Sequence, residues 1–334
     1  MTMARANVGV LVRALNGKEK DMRAVTVSQF GQLPRVVEVA TPVAGPGQVL
    51  IKLAAASMNP MDAKLASGEW RPAPVIFPMV LGVDGAGIVE AVGQGIMRFS
   101  PGDRVFGQLF IPPIGASGTY ADYVAVTGEA PLACVPEGLD LVPAAAAPTA
   151  GTTGLSLVDL LEPAEDQVVL IVGAGGGVGT FATQFAVNAG ASVIANINAT
   201  AEDRVRSYGV QEVIVRGAPV TEVVRRSYPD GVDVVIDLVG DATAFASTAS
   251  LVRPGGTAVS TQYVADLEGL QAQGVRGLNF ALRQSSELLE RVAQALVDHT
   301  VTEPPLTRIS LDDVPAMFGS QGRPTPDGKT VIVL

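Results

Sequence analysis

Apolar and polar positions divide this chain into stretches of different period. From Met22 to about Ala144, short apolar runs are punctuated by Gly and Pro, as in GPGQVLIKLAAAS, LGVDGAGIVEAVG, PGDRVFG and YADYVAV. Short strands bounded by such turn residues predict a β-rich, barrel-like unit. Between about Pro143 and Gly277 the rhythm changes: VVLIV, SVIANI, EVIV, DVVIDLVG and GTAVST alternate with helically spaced stretches. That alternation predicts βαβ units around a parallel sheet. The Ala144 to Ala147 run marks a helix start between the two. The tail predicts a helix around Ser286 to Asp298, a turn at Pro304 and Pro305, a short helix from Asp312 and a closing strand KTVIVL. An isolated final strand most easily completes the first unit's sheet. The expected division is therefore 22–144 with 278–334 as one discontinuous domain, 145–277 as the other, and 1–21 as an extension outside the fold.

The segment Val168 to Ala186, VVLIVGAGGGVGTFATQFA, carries the most specific signal. Val168 to Val172 is a continuous apolar run, as in a parallel strand buried on both faces. Four of the next five residues are glycine, which permits a tight turn and close backbone approach to a pyrophosphate. From Thr180, Phe181, Phe185, Ala186 and Ala189 recur at helical spacing, so the first-turn N–H groups would face the phosphates. The dinucleotide fingerprint G-x-G-x-x-G maps onto Ala174, Gly176 and Gly179, its first position differing by one methyl group. Gly175, Gly176, Gly177, Val178 and Gly179 are the expected phosphate cradle. A second apolar strand, Ala191 to Ile197, follows.

Cofactor choice turns on the end of that second strand. An NAD site offers a carboxylate roughly 20 residues past the glycines; here the place reads Ala195, Asn196, Ile197, Asn198. Neutral amides do not repel a 2′-phosphate, and Arg204 in the following helix could pair with one. NADPH is the expected cofactor, with Asn196, Asn198 and Arg204 at its adenosine end.

Composition narrows the partners. At 334 residues the chain exceeds one core, and 48% hydrophobic against 17% charged residues excludes a disordered chain. A net charge of −10 argues against nucleic acid or an anionic membrane. A single cysteine, Cys134, excludes an intrachain disulfide framework and fits a reducing compartment, so the cytoplasm is expected. Cys134 is expected as a small packed residue in a Pro-rich connection, and His299 as an exposed or capping residue closing a helix. No apolar run reaches membrane-spanning length.

Ordered motifs then bring in a family. AASMNPMDAKLASGEW (55–70), LGVDGAGIVEAVG (81–93), PGDRVFG (101–107), GTYADYVAV (118–126), PTAGTTG (148–154), VGAGGGVG, GVDVVIDLVG (231–240) and RPGGTAVS (253–260) follow one another. Together they resemble the medium-chain dehydrogenase/reductase superfamily, in pattern its zinc-free quinone oxidoreductases. The resemblance implies an α/β protein: a Rossmann doubly wound parallel sheet plus a GroES-like β-barrel domain, with NADPH and substrate in the cleft between them. It places Asn59 in that cleft, Thr149 and Thr153 toward the nicotinamide, Leu238 among the cofactor-binding residues, Lys329 in a cofactor-facing position beside Gly328, and Trp70 at the pocket rim. A catalytic zinc needs soft or imidazole ligands. Where zinc relatives carry Cys-His-x-Asp this chain has Asn59, Pro60, Met61 and Asp62, and where they carry Gly-His-Glu it has Gly82, Val83 and Asp84.

Without a metal, hydride transfer relies on positioning, which suffices when the product charge is delocalised, as in a quinone or an α,β-unsaturated carbonyl. Asn59 could donate to the acceptor or the nicotinamide ribose. Asp62 either takes part in catalysis or fixes its loop by accepting backbone N–H bonds. Tyr120 and Tyr123 are the phenols that could supply a proton, and strand aromatics also serve as core. The expected function is an NADPH-dependent quinone or enone reductase; the alternatives are an enoyl-thioester reductase and a non-catalytic NADPH-binding protein. A homodimer is expected from the resemblance, with SLVRPGGTAVST as the seam.

Overall fold

The computed structural model describes residues 21–71, 74–109, 113–165, 167–318 and 327–334. The expected extension falls on residues 1–20, outside the described residues, and on Asp21, which already belongs to the first strand. The first part of the chain forms β1 (Asp21–Val27), β2 (Arg35–Ala40), β3 (Gln48–Ser57), α1 (Pro60–Ser67), β4 (Met79–Val80), β5 (Asp84–Val92), β6 (Arg104–Gln108), β7 (Tyr123–Thr127) and β8 (Leu132–Cys134). Two helices lead onward, α2 (Leu141–Ala146) and α3 (Pro148–Leu161). Cys134 ends a strand and is exposed, which corrects the expectation of a packed residue in a connection.

The α/β part comprises β9 (Val168–Val172), α4 (Gly177–Asn188), β10 (Ser192–Ile197), α5 (Glu202–Arg206), β11 (Glu212–Val215), α6 (Val220–Ser227), β12 (Val232–Asp237), α7 (Ala242–Ala249), β13 (Val252–Ser260), α8 (Leu267–Ala272) and β14 (Arg276–Asn279). Its strands order as β11-β10-β9-β12-β13-β14, every pairing parallel. This is a doubly wound Rossmann sheet with β9 near its centre. β14 runs across the 277/278 boundary suggested by the hydrophobic pattern, because its short RGLN has no apolar run to announce it. β13, the expected dimer seam, has β12 on one side and β14 on the other, so the sheet edge lies at β14 instead.

The chain then forms α9 (Ser286–Val297), β15 (Leu306–Ser310), α10 (Val314–Phe318) and β16 (Lys329–Val333). β16 pairs parallel with β15 and antiparallel with the end of β3, through Ala55, Ala56 and Ser57. The start of β3 pairs with β7, and its whole length with β5. This GroES-like sheet orders as β15-β16-β3-β5-β6-β8. The alternating LTRIS of β15 is too polar to have been read as a strand.

One hydrophobic cluster belongs to both parts. It joins Ala55, Ala86 and Phe106 of the GroES-like sheet, Val331 of β16, the run Ala144 to Ala147, and Phe181, Leu289 and Val292 of the helices beyond. Small alanines let the sheet and helix backbones approach closely, and burial of the shared apolar surface holds the two units together. The site lies at this junction.

Candidate active site

The glycine turn is built as backbone geometry requires. Gly173 leaves β9 with φ 87, and Gly176 caps α4, which begins at Gly177 rather than at Thr180. Hydrophobic spacing cannot see glycines, which carry no side chain to mark a face, and the first-turn N–H groups here have no intrahelical acceptors. A Cβ on Gly179 would overlap the Gly173 carbonyl oxygen and Ala174 Cα. Ala174, in the first fingerprint position, is fully buried.

The sequence-predicted cofactor residues gather around this turn. Asn196 accepts the Gly173 and Ala174 N–H groups on its backbone oxygen at 3.0 Å, and its Nδ2 donates to the Ile214 carbonyl at 3.0 Å. Arg204 donates to Thr180 Oγ1, Tyr208 Oη and the Gly175 carbonyl, each at 2.9 Å, so it braces the turn. Exposed Asn198 places Nδ2 3.4 Å from Asp327 Oδ1. Leu238 follows β12 and accepts from Gln262 Nε2 at 3.0 Å, while Gln262 Oε1 receives Lys64 Nζ of α1 at 3.3 Å. Val178 lies in the first turn of α4.

Across the junction, side chains of both units meet in a buried network. Pro60 at the first position and Gly68 at the C-cap, with φ 80, delimit α1, and Asn59 is its N-cap. Asn59 Nδ2 donates to Asp84 Oδ2 at 2.9 Å. Lys329 Nζ donates to Asn59 Oδ1 at 2.7 Å and to the Met58 carbonyl at 3.0 Å, and stands 3.9 Å from Asp84 Oδ2. Asp84 also receives the Thr149 N–H at 3.0 Å and the Thr149 hydroxyl at 2.7 Å. Gln108 Nε2 donates to that hydroxyl at 2.8 Å. A carboxylate of one unit thus sits at the N-terminus of α3, whose dipole favours it. Thr153, one turn further along α3, is buried.

The backbone makes the same join. Gly176 of the turn and Gly328 form a parallel bridge, and the Lys329 stem lies beside Gly177, where a Cβ would sit 3.5 Å from its Cδ. Gly328 has φ 90, and a Cβ there would overlap the Pro305 carbonyl.

Asp62 and Tyr120 form a second buried pair. Asp62 Oδ2 accepts the Asn59 N–H at 2.7 Å and the Tyr120 hydroxyl at 2.8 Å. Burial pushes the Asp62 carboxyl up to about 7 against those hydrogen bonds, and raises Tyr120 well above the usual phenol value. Burial likewise raises Asp84 and lowers Lys329, each opposed by the other's charge. Tyr120 is fully buried, so it has no path to a substrate from this position. Tyr123 is not brought to the network: it pairs with Lys52 in the middle of β3, away from Ser57. Trp70 is 39% exposed beyond α1, its N–H bonded to the Lys64 carbonyl.

Sequence reasoning passed over Asp84, Gln108 and Asp327. In the sequence Asp84 only stands where zinc relatives carry glutamate; its hydrogen-bonding role comes from the fold. Asp327 lies 129 positions from Asn198, so no local spacing could bring it to the second strand.

Comparison with known proteins agrees with this architecture. Residues 45–137 match the alcohol dehydrogenase GroES-like domain, and 177–287 match the family described as zinc-binding dehydrogenase. A quinone oxidoreductase of Sus scrofa is 33% identical over 72% of this chain and 73% of its own length. A 2-methylene-furan-3-one reductase of Solanum lycopersicum is 30% identical over 93% of this chain and 79% of its own. The solved quinone oxidoreductase of Coxiella burnetii superposes with a TM-score of 0.81 at 26% identity, covering 94% of this chain and 100% of that one. With these relatives and this two-unit architecture, the chain belongs to the medium-chain dehydrogenase/reductase superfamily and is a quinone oxidoreductase-like, NAD(P)H-type oxidoreductase.

Proposed function

We propose that the protein is an NADPH-dependent reductase that passes hydride to a quinone or an α,β-unsaturated carbonyl without a metal. The observation that carries this reading is the direct join of the glycine turn to the acceptor side, where Gly176 bridges Gly328 and the next residue, Lys329, bonds Asn59. A pyrophosphate fits the turn, because the N–H groups of Gly177, Val178 and Gly179 open α4 and its dipole favours an anion. Thr149, Thr153 and Leu238 would hold the nicotinamide half, and Asn196 and Asn198 the adenosine ribose. The bound cofactor supplies the hydride. The protein orients the two reactants, and Asp62 and Tyr120 stabilise the α1 loop rather than deliver a proton.

The donor set at Asp84 speaks against zinc. Its neighbours are Asn59, Thr149 and the Lys329 ammonium, which would repel a cation. No group of three or more His, Cys, Asp or Glu side chains stands together among the described residues. The relatives named for quinone and furanone reduction support the acceptor class. The cytoplasm and a homodimer joined at β14 complete the reading; among the described residues no helix is long and apolar enough to cross a membrane.

NADPH oxidation across quinones, enones and enoyl thioesters, run beside NADH, tests the proposal. Turnover with quinones or enones is expected, with kcat/KM at least about tenfold higher for NADPH than for NADH. Thioester-only turnover would favour the enoyl-thioester reductase, and binding without turnover a non-catalytic role. One observation favours NADH as a second reading: Asp327 brings a carboxylate to Asn198, at the end of β10. A preference for NADH that reverses in Asp327→Asn would establish it.

A further inference from the structure

We infer that Lys329 is a positioning residue that couples the cofactor turn to the acceptor side of the cleft through Asn59 and Asp84, rather than a ligand of the cofactor phosphates. An ammonium carries three N–H donors. Lys329 donates two of its own, to Asn59 Oδ1 at 2.7 Å and the Met58 carbonyl at 3.0 Å, and its ammonium stands 3.9 Å from Asp84 Oδ2 as an ion pair. Both acceptors and the counter-charge belong to the GroES-like unit, so the ammonium is held on the acceptor side rather than on the turn. Its stem, by contrast, lies against Gly177, and the preceding Gly328 is bridged to Gly176. One residue therefore touches the turn with its carbon chain and the acceptor side with its charge.

The charge decides how the amide of Asn59 is held. With Lys329 donating to Oδ1, Nδ2 must face Asp84, whose two oxygens then fix the Thr149 N–H and hydroxyl at the start of α3. Lys329 and Asp84 are 4% and 0% exposed on their side chains, so each depends on the other as counter-charge. Removing the ammonium leaves Asp84 an uncompensated buried carboxylate and frees the Asn59 amide to rotate. The consequence falls on the approach of hydride donor to acceptor, where small misplacements carry large rate penalties. Cofactor affinity, set by the turn's own N–H groups, is left almost intact.

The inference rests on the reductase reading, and its test separates the two. Lys329→Met and Asp84→Asn/Lys329→Met are compared with the wild type for kcat, NADPH Kd by cofactor fluorescence, the kinetic isotope effect with deuterated NADPH, and melting temperature. In Lys329→Met we expect kcat to fall more than about tenfold, Kd to move less than about threefold and the isotope effect to rise, as hydride transfer becomes limiting. The double variant is expected to recover most of the lost melting temperature without recovering kcat, and it replaces the single variant if that one does not fold. A Kd weakened more than about tenfold with kcat unchanged would make Lys329 a phosphate ligand and overturn the inference. Unchanged kcat and isotope effect in the folded double variant would overturn it equally. Failure of the reductase reading shows separately, as a wild type that turns over none of the acceptors; NADPH Kd and melting temperature of the variants then still discriminate between coupling and phosphate binding.

Discussion

Burial raises the Asp62 carboxyl from 3.8 to about 7 because desolvation outweighs the hydrogen bonds from Tyr120 and Asn59. A carboxyl with a higher pKa in the fold than in the unfolded chain holds its proton more tightly when folded. Its contribution therefore favours folding at low pH and is lost as pH rises from the unfolded value of 3.8 to about 7. Asp62→Asn mimics the protonated form, so its melting temperature should gain on the wild type between about pH 4 and about pH 7. Parallel curves would show that Asp62 ionises normally. Residue-scale chemistry was partly legible in the sequence. Asn59, Asp62 and Lys329 stand in motifs that single them out, and the loop-fixing alternative for Asp62 matches its bond to the Asn59 N–H. The direction of their hydrogen bonds was not legible, since it depends on Asp84 and Thr149 arriving from other elements.

Among elements, the strand, glycine turn and helix from β9 into α4 depend on one crowded position. A methyl group on Gly179 would meet Gly173 and Ala174, forcing the helix away from the strand. Gly179→Ala should lower stability by about 1–3 kcal/mol and weaken NADPH binding more than about tenfold, measured by denaturant unfolding and cofactor fluorescence. A variant with wild-type affinity would show that the turn tolerates displacement. The buried strands β9, β10 and β12 were readable because continuous apolar runs have few other uses in a chain of this kind. β14 and β15 escaped notice because edge strands need no such run, and their identity comes from the neighbour they pair with.

At the scale of the whole molecule, β14 offers its outer edge to a second copy, as β13 cannot. Sedimentation at micromolar concentration should therefore give the mass of two chains; a single-chain mass would remove the proposed homodimer. The two-unit plan followed from the change in hydrophobic period near Ala144, but the alanine cluster shared between the units did not, because alanine gives no strong periodic signal. β16 has a consequence for synthesis. It seals the end of β3, and its Lys329 reaches Asn59 across 270 positions of chain. On the ribosome, the GroES-like unit must wait with Ala55 to Ser57 paired to β5 on one side only, the side that takes β16 left open, until the entire Rossmann unit has been made. The nascent protein thus passes through a stage with a finished nucleotide fold beside an open, adhesive sheet edge, a state in which chaperone contact matters most.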